Sequence, residues 1–493
     1  MTAVRENEFP RHCDIAIVGG GILGLCIAHE IAGRARDLSI ALIAPRDRSG
    51  GASEAAGAML SGYGETTTLS FATEGARLKS ELRLQAAAYW PAWIERLNDA
   101  GDGPRVALRD GTLTITNAVS GPLDEQNLEA MVELLRAREA RFEFVAPAQV
   151  EGLRPKAPSR PQRAVFLPEE RYVDGATVLV ALEEQLLRHP RVMLVDEPCT
   201  QIRAARRHGA AHEVVTAGGS IGAGRIVLAA GAACDGLVRG LGANRVPRIF
   251  CGAGAALLCA TPQAGPALDI AVRTPNRAFA CGLHALPHVR GGLYLGATNN
   301  VQVDPIRAAS LGDVAFIAEC AMQQIDRNLP SSALLATLVG NRPVPADTFP
   351  LLGETSWRGI WLATGTYRDG FLLAPLIARS LADALAADEA VLRGAALFRP
   401  ERPPLAAVPD LKSAIAEGVE NYVAAAFERG ANLPSAGAWE DEFRAVIERR
   451  VAAIYARFEP PFIPPPDLLW DIERGDLGGA LIDYYAQAAA HWR

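Results

Sequence analysis

Residues 15–33 read IAIVGGGILGLCIAHEIAG, and a second apolar run, SIALIA, follows at 39–44. A short apolar strand, a glycine turn, a helix and a second strand, in that order, make a βαβ unit. Within the turn each glycine of GxGxxG has a mechanical task. Gly19 makes the tight bend, Gly21 lets a pyrophosphate reach the backbone, and Gly24 brings helix and strand close together. The helix then presents free N–H groups and its positive end to phosphate. The reading is a dinucleotide site, and the turn alone does not say which dinucleotide.

The strand after the turn departs from expectation. An acid at its end would hold a ribose, yet the chain there reads Ala44-Pro45-Arg46-Asp47. Losing one hydrogen bond to a charged group costs about 1.5 to 3 kcal/mol if nothing compensates. Arg46, Asp47 and Ser53 are the nearby candidates to compensate.

Residues 15–32 are also apolar enough to imitate a membrane span or a signal peptide. Three adjacent glycines and the pair His29-Glu30 argue against a span. No later run is expected to reach spanning length, so the expected location is the cytoplasm. With 493 residues the chain predicts two or three domains. A net charge of -7 excludes general affinity for nucleic acid. Only Lys79, Lys156 and Lys412 are lysines among 49 basic residues, a skew that fits genome composition better than chemistry. The eight cysteines include no CxxC pair and no histidine at zinc-finger spacing, and read as reduced thiols.

Further along, helical spacing is predicted over roughly 74–100, 123–139, 178–188 and 312–328. Strands are predicted at 112–116, 192–196, 225–231, 250–258, 277–285 and 292–297. The stretch 360–387 reads as strand, glycine loop and helix. Nucleotide-binding segments thus occur at the start, in the middle and near the end of the chain, which predicts a discontinuous domain with a second one inserted. The expected class is α/β, α+β overall. A Rossmann-like domain takes residues 1–85, 150–240 and 340–392; an inserted antiparallel-sheet substrate domain takes 86–149 and 241–339. Beyond a proline-rich linker, residues 400–493 form a helical C-terminal extension. Its aromatic residues, among them Trp439, Phe458, Tyr484 and Tyr485, suit either packing on the body or an interface with a homo-oligomer or partner.

Four stretches carry a resemblance: VGGGILGLCIAHEIA at 18–32, GGASEAAGAML at 50–60, IVLAAGAACDGL at 226–237, and RPVPADTFPLLG at 342–353 with ATGTYRDGFLLAP at 363–375. Together they resemble the D-amino-acid oxidase family of flavoproteins, most closely its glycine-oxidase branch. The family spacing Arg-Pro-x3-Asp-x2-Pro-x2-Gly is met by Arg342, Pro343, Asp347, Pro350 and Gly353. The resemblance covers about residues 13–392 and not the extension.

What it implies is FAD, held without a covalent bond because LVGNRP lacks a cysteine. By resemblance, Gly19, Gly21, Ile22, Leu23, Gly24, Ser53, Gly57, Met59, Gly231 and Gly365 cradle the cofactor, with Arg46 near the ribose. Gly370, Phe371 and Leu372 at a helix start would face the flavin C2 carbonyl and N1. The implied reaction moves a hydride from the carbon bearing the substrate amine to flavin N5; water hydrolyses the imine, and O2 takes the electrons as H2O2. The alternatives are a dehydrogenase with a quinone or protein acceptor, or a flavoprotein subunit of a larger complex.

Such chemistry needs orientation more than an acid or base. No Ser-His-Asp, metal or paired-carboxylate arrangement stands out, and GGASEAAG lacks the GxSxG of a nucleophile elbow. Arg342 is the implied fork for the substrate carboxylate, and Arg368 a second positive group near the flavin. His284 and Asn299 stand where glycine oxidases carry a tyrosine and an apolar residue. They belong either to a polar sheet rim or to a pocket more polar than glycine needs. The implied substrate is a small amine or amino acid.

Overall fold

A computed structural model describes residues 11–34, 37–101, 103–205, 207, 210–262, 267–278, 282–288, 291–431 and 437–492. Cys281 lies outside the described residues, and the seven described cysteines are free thiols.

The quoted stretch folds as strand His12–Val18, turn, and helix Ile22–Arg34. The strand is central in an eight-stranded sheet. Ser220–Leu228 and Ile40–Ile43 flank it in parallel; beyond them lie Ile360–Thr364 on one side and Val192–Val195 on the other. These strands read as continuous apolar runs because helices cover them. Helices Ile22–Arg34 and Glu74–Asp99 both pack on helix Gly370–Ala387.

One expectation needs correcting here. Gly370–Ala387 is 18 residues long with a mean hydropathy of 1.5, so a later run does reach spanning length. The fold gives its apolar surface another use: Leu372, Leu373, Ile377, Ala378 and Leu381 are buried in the core beside the first sheet. The apolarity is that of a central helix.

The second sheet has eleven strands and is mostly antiparallel. At its centre Ile249–Cys259 pairs with Leu334–Pro345 on one side and Leu293–Gly296 on the other. Pro161–Tyr172 belongs to this sheet, antiparallel to Arg109–Asn117, although it falls in a segment expected in the nucleotide domain. Pro161 and Pro168 mask it in the sequence, since proline within an apolar run speaks against a strand. Of the strand expected at 277–285, residues 279–281 lie outside the described residues; the described strands around it are Ala271–Arg273 and His284–Pro287.

The extension forms helices Leu411–Glu428, Trp439–Tyr455, Leu469–Arg474 and Leu477–Trp492. Its residues Tyr422, Val451, Leu468, Leu481 and Tyr485 share one core with Phe250, Val344, Ala346 and Tyr367 of the body. Each such side chain fully buried contributes about 1.5–3 kcal/mol. Phe458, Tyr484 and Tyr485 are therefore packing residues, whereas Trp439 remains 52% exposed.

This docking carries a pH signature. Burial pushes three extension carboxyls, Glu417, Glu428 and Asp471, up to about 7, with the nearby Asp467 adding to the effect at Glu417. In the unfolded chain such groups ionise near or below pH 4.5. Between those values unfolding releases protons, so stability falls as pH rises through the window and levels off above about 7. The melting temperature is expected to be higher at pH 5.5 than at pH 7.5, and equal or reversed values would contradict this burial.

Candidate functional site

A cavity of about 930 Å³ lies between the two sheets. That volume is at the upper end of the range for small-molecule and cofactor sites. Its lining reaches from Ala44, Pro45 and Asp47 at the end of the second strand to His284, Tyr294 and Arg342 on the antiparallel sheet.

The glycine turn forms one wall by close approach. A Cβ on Gly19 would lie 2.3 Å from the Ala229 carbonyl oxygen, and one on Gly24 would lie 1.9 Å from the Gly19 carbonyl oxygen. No side chain fits at either point. Gly24 is thus a packing glycine and does not itself line the cavity. At the start of the helix the Ile22 N–H donates to Ser53 Oγ at 3.0 Å. Gly231 has a φ of +59°, and a Cβ there would meet nothing within 4 Å, which leaves that face open. Helix Gly370–Ala387 starts without a side-chain cap, so its first N–H groups remain for a ligand; Gly370, Phe371 and Leu372 line the cavity. These are the features a dinucleotide-bound flavin requires: close backbone, two helix starts and little side-chain bulk. The residues fit FAD.

Besides Gly24, two more expected cofactor residues lie off the lining. Arg46 is not among the lining residues; its backbone N–H donates to Asp196 Oδ1 at 2.7 Å, and its side chain is 57% exposed. Gly365 is a turn residue at φ +73° whose Cβ would meet Pro345 at 2.6 Å. Gly21, Ile22, Leu23, Ser53, Gly57, Met59 and Gly231 all line the cavity.

At the other end, Arg342 comes from strand Leu334–Pro345 and bends across Gly254 of its partner strand. Its Nη1 donates to the Thr298 carbonyl at 3.1 Å and to Asn299 Oδ1 at 3.2 Å. Asn299 does not line the cavity; it stands behind the guanidinium and donates from Nδ2 to Tyr367 Oη at 2.7 Å. A Cβ on Gly254 would sit 2.2 Å from Arg342 Nη1. Gly254→Ala is therefore expected to leave the fold and flavin content intact and to displace the guanidinium. A misplacement of about 1 Å lowers kcat/KM by roughly 100-fold. Unchanged kinetics would show that the guanidinium position is immaterial.

His284 is buried, stacked on Tyr294 at 5.7 Å, and lines the cavity. Of its two alternatives, rim or pocket, the structure therefore gives pocket wall. Burial first, and Arg273 second, push it down to about 4, so it is neutral at physiological pH. Arg368 lines the cavity but is already engaged: its Nη2 donates to Asp467 Oδ2 of the extension at 2.6 Å.

The sequence reading missed a charged group in this wall. Arg273 is 1% exposed, donating from Nη1 to Glu65 Oε1 at 2.7 Å and from Nη2 to Asn276 Oδ1 at 2.9 Å. Burial opposes ionisation of Glu65, but Arg273, Arg368 and Arg83 outweigh it and hold the carboxyl down at about 2. Nothing local marked Arg273 or Glu65, because the two are 208 residues apart. Tyr367 was visible, next to Arg368 in GTYRDG. Asp467 lies beyond every stretch that carried a resemblance.

A family model described as FAD dependent oxidoreductase matches residues 14–384. The chain is 24% identical over 372 residues to glycine oxidase from Geobacillus kaustophilus (strain HTA426), spanning 75% of this chain and 92% of that one. The crystal structure of glycine oxidase from Geobacillus kaustophilus aligns with a TM-score of 0.67 over 80% of this chain and 99% of its own, at 24% identity. That of L-proline dehydrogenase from P. horikoshii aligns at 0.63 over 80% and 98%, with 17% identity. At these identities the structures speak for the fold.

Proposed function

The chain belongs to the FAD dependent oxidoreductase family, and from that premise we propose that it oxidises the C–N bond of a small amino acid or amine. The observation that carries this reading is Arg342, a guanidinium held over Gly254 at the end of the cavity away from the glycine turn.

When bound, FAD supplies the hydride acceptor. The chain's own residues bind and orient. Gly19, Gly21, Ile22 and Leu23 give the pyrophosphate a close backbone and a helix start, and Gly370–Leu372 give the ring a second one. The NRP segment carries no cysteine, and Cys199 and Cys251, which do line the cavity, are thiols that burial pushes up to about 11, so the cofactor is dissociable; acid precipitation should leave the protein pellet colourless. With Ala44 in place of an acid, Asp47, which follows that strand end in sequence and lines the cavity, is the better candidate for the ribose.

Arg342 takes the substrate carboxylate with its fork, and Asn299 and the Thr298 carbonyl keep the fork from rotating. His284 and Tyr294 wall the space beside it. A neutral His284 adds hydrogen-bonding capacity without charge, which favours a substrate carrying a polar group beyond what glycine offers. No proton-transfer residue is required at this end, in keeping with a reaction set by orientation. The imine leaves to water, and the electron acceptor is O2, giving H2O2, with a quinone or protein acceptor as the alternative. We assign residues 1–85, 150–240 and 340–392 chiefly to FAD, except the strands Pro161–Tyr172 and Leu334–Pro345, which with the rest of the antiparallel sheet, Arg342 included, serve chiefly the substrate. The cytoplasm remains the expected location.

The test is an anaerobic screen of amino acids and secondary amines for bleaching of the flavin absorbance. At least one small carboxylated amine should bleach it. Failure of all of them, with no turnover in oxygen-uptake and dye-linked assays, would overturn the reading. For a substrate that works, comparing those two assays separates oxidase from dehydrogenase.

A further inference from the structure

The extension reaches the candidate site through one side chain. Asp467 follows Pro465 and Pro466 in a single helical turn and accepts from Arg368 Nη2 at 2.6 Å. The Arg368 guanidinium lies 4.7 Å from the centre of the Tyr367 ring, and its Nη2 approaches Tyr367 Oη at 3.5 Å. That same hydroxyl accepts from Asn299 Nδ2 at 2.7 Å. The far end of the Asn299 amide, Oδ1, accepts from Arg342 Nη1 at 3.2 Å. Contacts therefore run from the extension to the carboxylate fork in four steps. A second tether acts beside them: Asp471 Oδ2 accepts from the Val301 N–H at 2.7 Å, two residues beyond Asn299.

Each step constrains the next. An amide presents oxygen on one side and N–H on the other, so a hydroxyl that takes the Asn299 N–H leaves the oxygen facing Arg342. Tyr367 has a φ of +53°, an uncommon backbone position for a non-glycine residue, and its ring lies close to two cations, Arg368 and, at 5.8 Å, Lys79. Among the described residues six arginines line the cavity; Arg48, Arg248 and Arg307 stand by Gly20, Asp235 and Gly50, and Arg273 is held by Glu65, which leaves the guanidinium groups of Arg342 and Arg368 at the substrate end. A substrate carboxylate offered two free forks would bind in two orientations, of which only one suits the reaction. With Arg368 occupied by Asp467, Arg342 is the fork that remains at that end.

We propose that Asp467 is a positioning residue for substrate binding: it holds Arg368 on the Tyr367 ring, and the Tyr367–Asn299 pair in turn presents Arg342 as the single carboxylate fork. The extension is in this respect part of the site. The proposal rests on the reading of Arg342 as the substrate anchor. Asp467 is 39% exposed, so the ion pair itself adds little to fold stability and its loss is readable at the site.

The test uses full-length holoenzyme titrated with acetate and propionate, which carry no amine and are not oxidised, followed by the flavin absorbance. Asp467→Ala should weaken acetate binding roughly tenfold, with flavin content and melting temperature unchanged. Asp467→Glu should recover most of the loss. Arg368→Ala should show a similar loss, and the double variant no more than either single one, because both act through one contact. If Asp467→Ala does not yield a folded flavoprotein, Asp467→Asn, which keeps the shape and removes the charge, carries the same comparison. Wild-type acetate affinity in the Asp467 variant, single losses that multiply in the double variant, or a loss of flavin in place of acetate affinity would each overturn the proposal. Arg342→Ala that binds acetate like wild type, or wild-type enzyme that does not bind it, would instead overturn the anchor reading beneath it.

Discussion

Arg342→Ala is expected to raise KM by at least roughly 100-fold while flavin content stays at the wild-type level. A charge-assisted hydrogen bond contributes about 1.5–3 kcal/mol, and a guanidinium fork supplies two of them to one carboxylate. The residue is isolated from the cofactor cradle: its own partners are the Thr298 carbonyl and Asn299, and neither belongs to the glycine turn. Arg342→Lys keeps the charge and loses the fork, so it should fall between wild type and Arg342→Ala, with KM affected more than kcat. The check is steady-state kinetics on the best substrate from the anaerobic screen, beside the flavin-to-protein absorbance ratio. An alanine variant with wild-type KM would remove Arg342 from the substrate site. One that lost flavin in proportion to activity would move it to the cofactor.

Asp347→Ala is expected to destabilise the protein by about 3–5 kcal/mol, the range for leaving one member of a buried ion pair alone. Asp347 and Arg402 are each 1% exposed, with Nη2 and Oδ2 at 2.9 Å. The carboxylate also accepts from the N–H groups of Phe349 and Leu405 at 3.2 and 3.0 Å. Truncation would leave the buried guanidinium without its counter-charge, with only the Arg399 and Phe349 carbonyls to accept from it, and two N–H groups without their acceptor. In a chain of this size that corresponds to a fall in melting temperature of about 10 °C or more, or to failure to accumulate folded protein. Replacing both members, as in Asp347→Leu with Arg402→Met, should recover most of the loss, since a buried pair exchanged for apolar packing is often neutral. A single variant within about 1 kcal/mol of wild type by denaturant unfolding would show that the pair is dispensable.

These two residues sit five positions apart in RPVPAD, and they separate two kinds of information. The spacing Arg342-Pro343-x3-Asp347-x2-Pro350-x2-Gly353 marks both as members of one segment. It does not distinguish a side chain that faces the cavity from one that faces the linker. Strand Leu334–Pro345 ends between them, and the chain beyond it turns so that Asp347 meets Arg402 instead of the ligand.

Legibility in the sequence followed range of interaction. The βαβ start, the helix boundaries and the strand–loop–helix at 360–387 were readable, because glycine geometry and apolar periodicity act over a few residues. Pro161–Tyr172 was hidden because its place depends on Arg109–Asn117, a partner some fifty residues away that offsets two prolines. Arg273 and Glu65 were hidden for the same reason. Arg46 read as a ribose ligand from proximity along the chain, while the strand end turns its side chain to solvent.

By itself, then, the sequence determined the nucleotide-binding start, the family and the segment that holds the proposed carboxylate anchor, since each is written in short spacings with a local mechanical cause. The tertiary structure alone decided which charges meet. Asp467 reaches Arg368 across 99 residues, and Asp347 reaches Arg402 across a linker. A charge is settled by whichever partner the folded chain brings within a few ångströms, and no local pattern encodes that partner's identity.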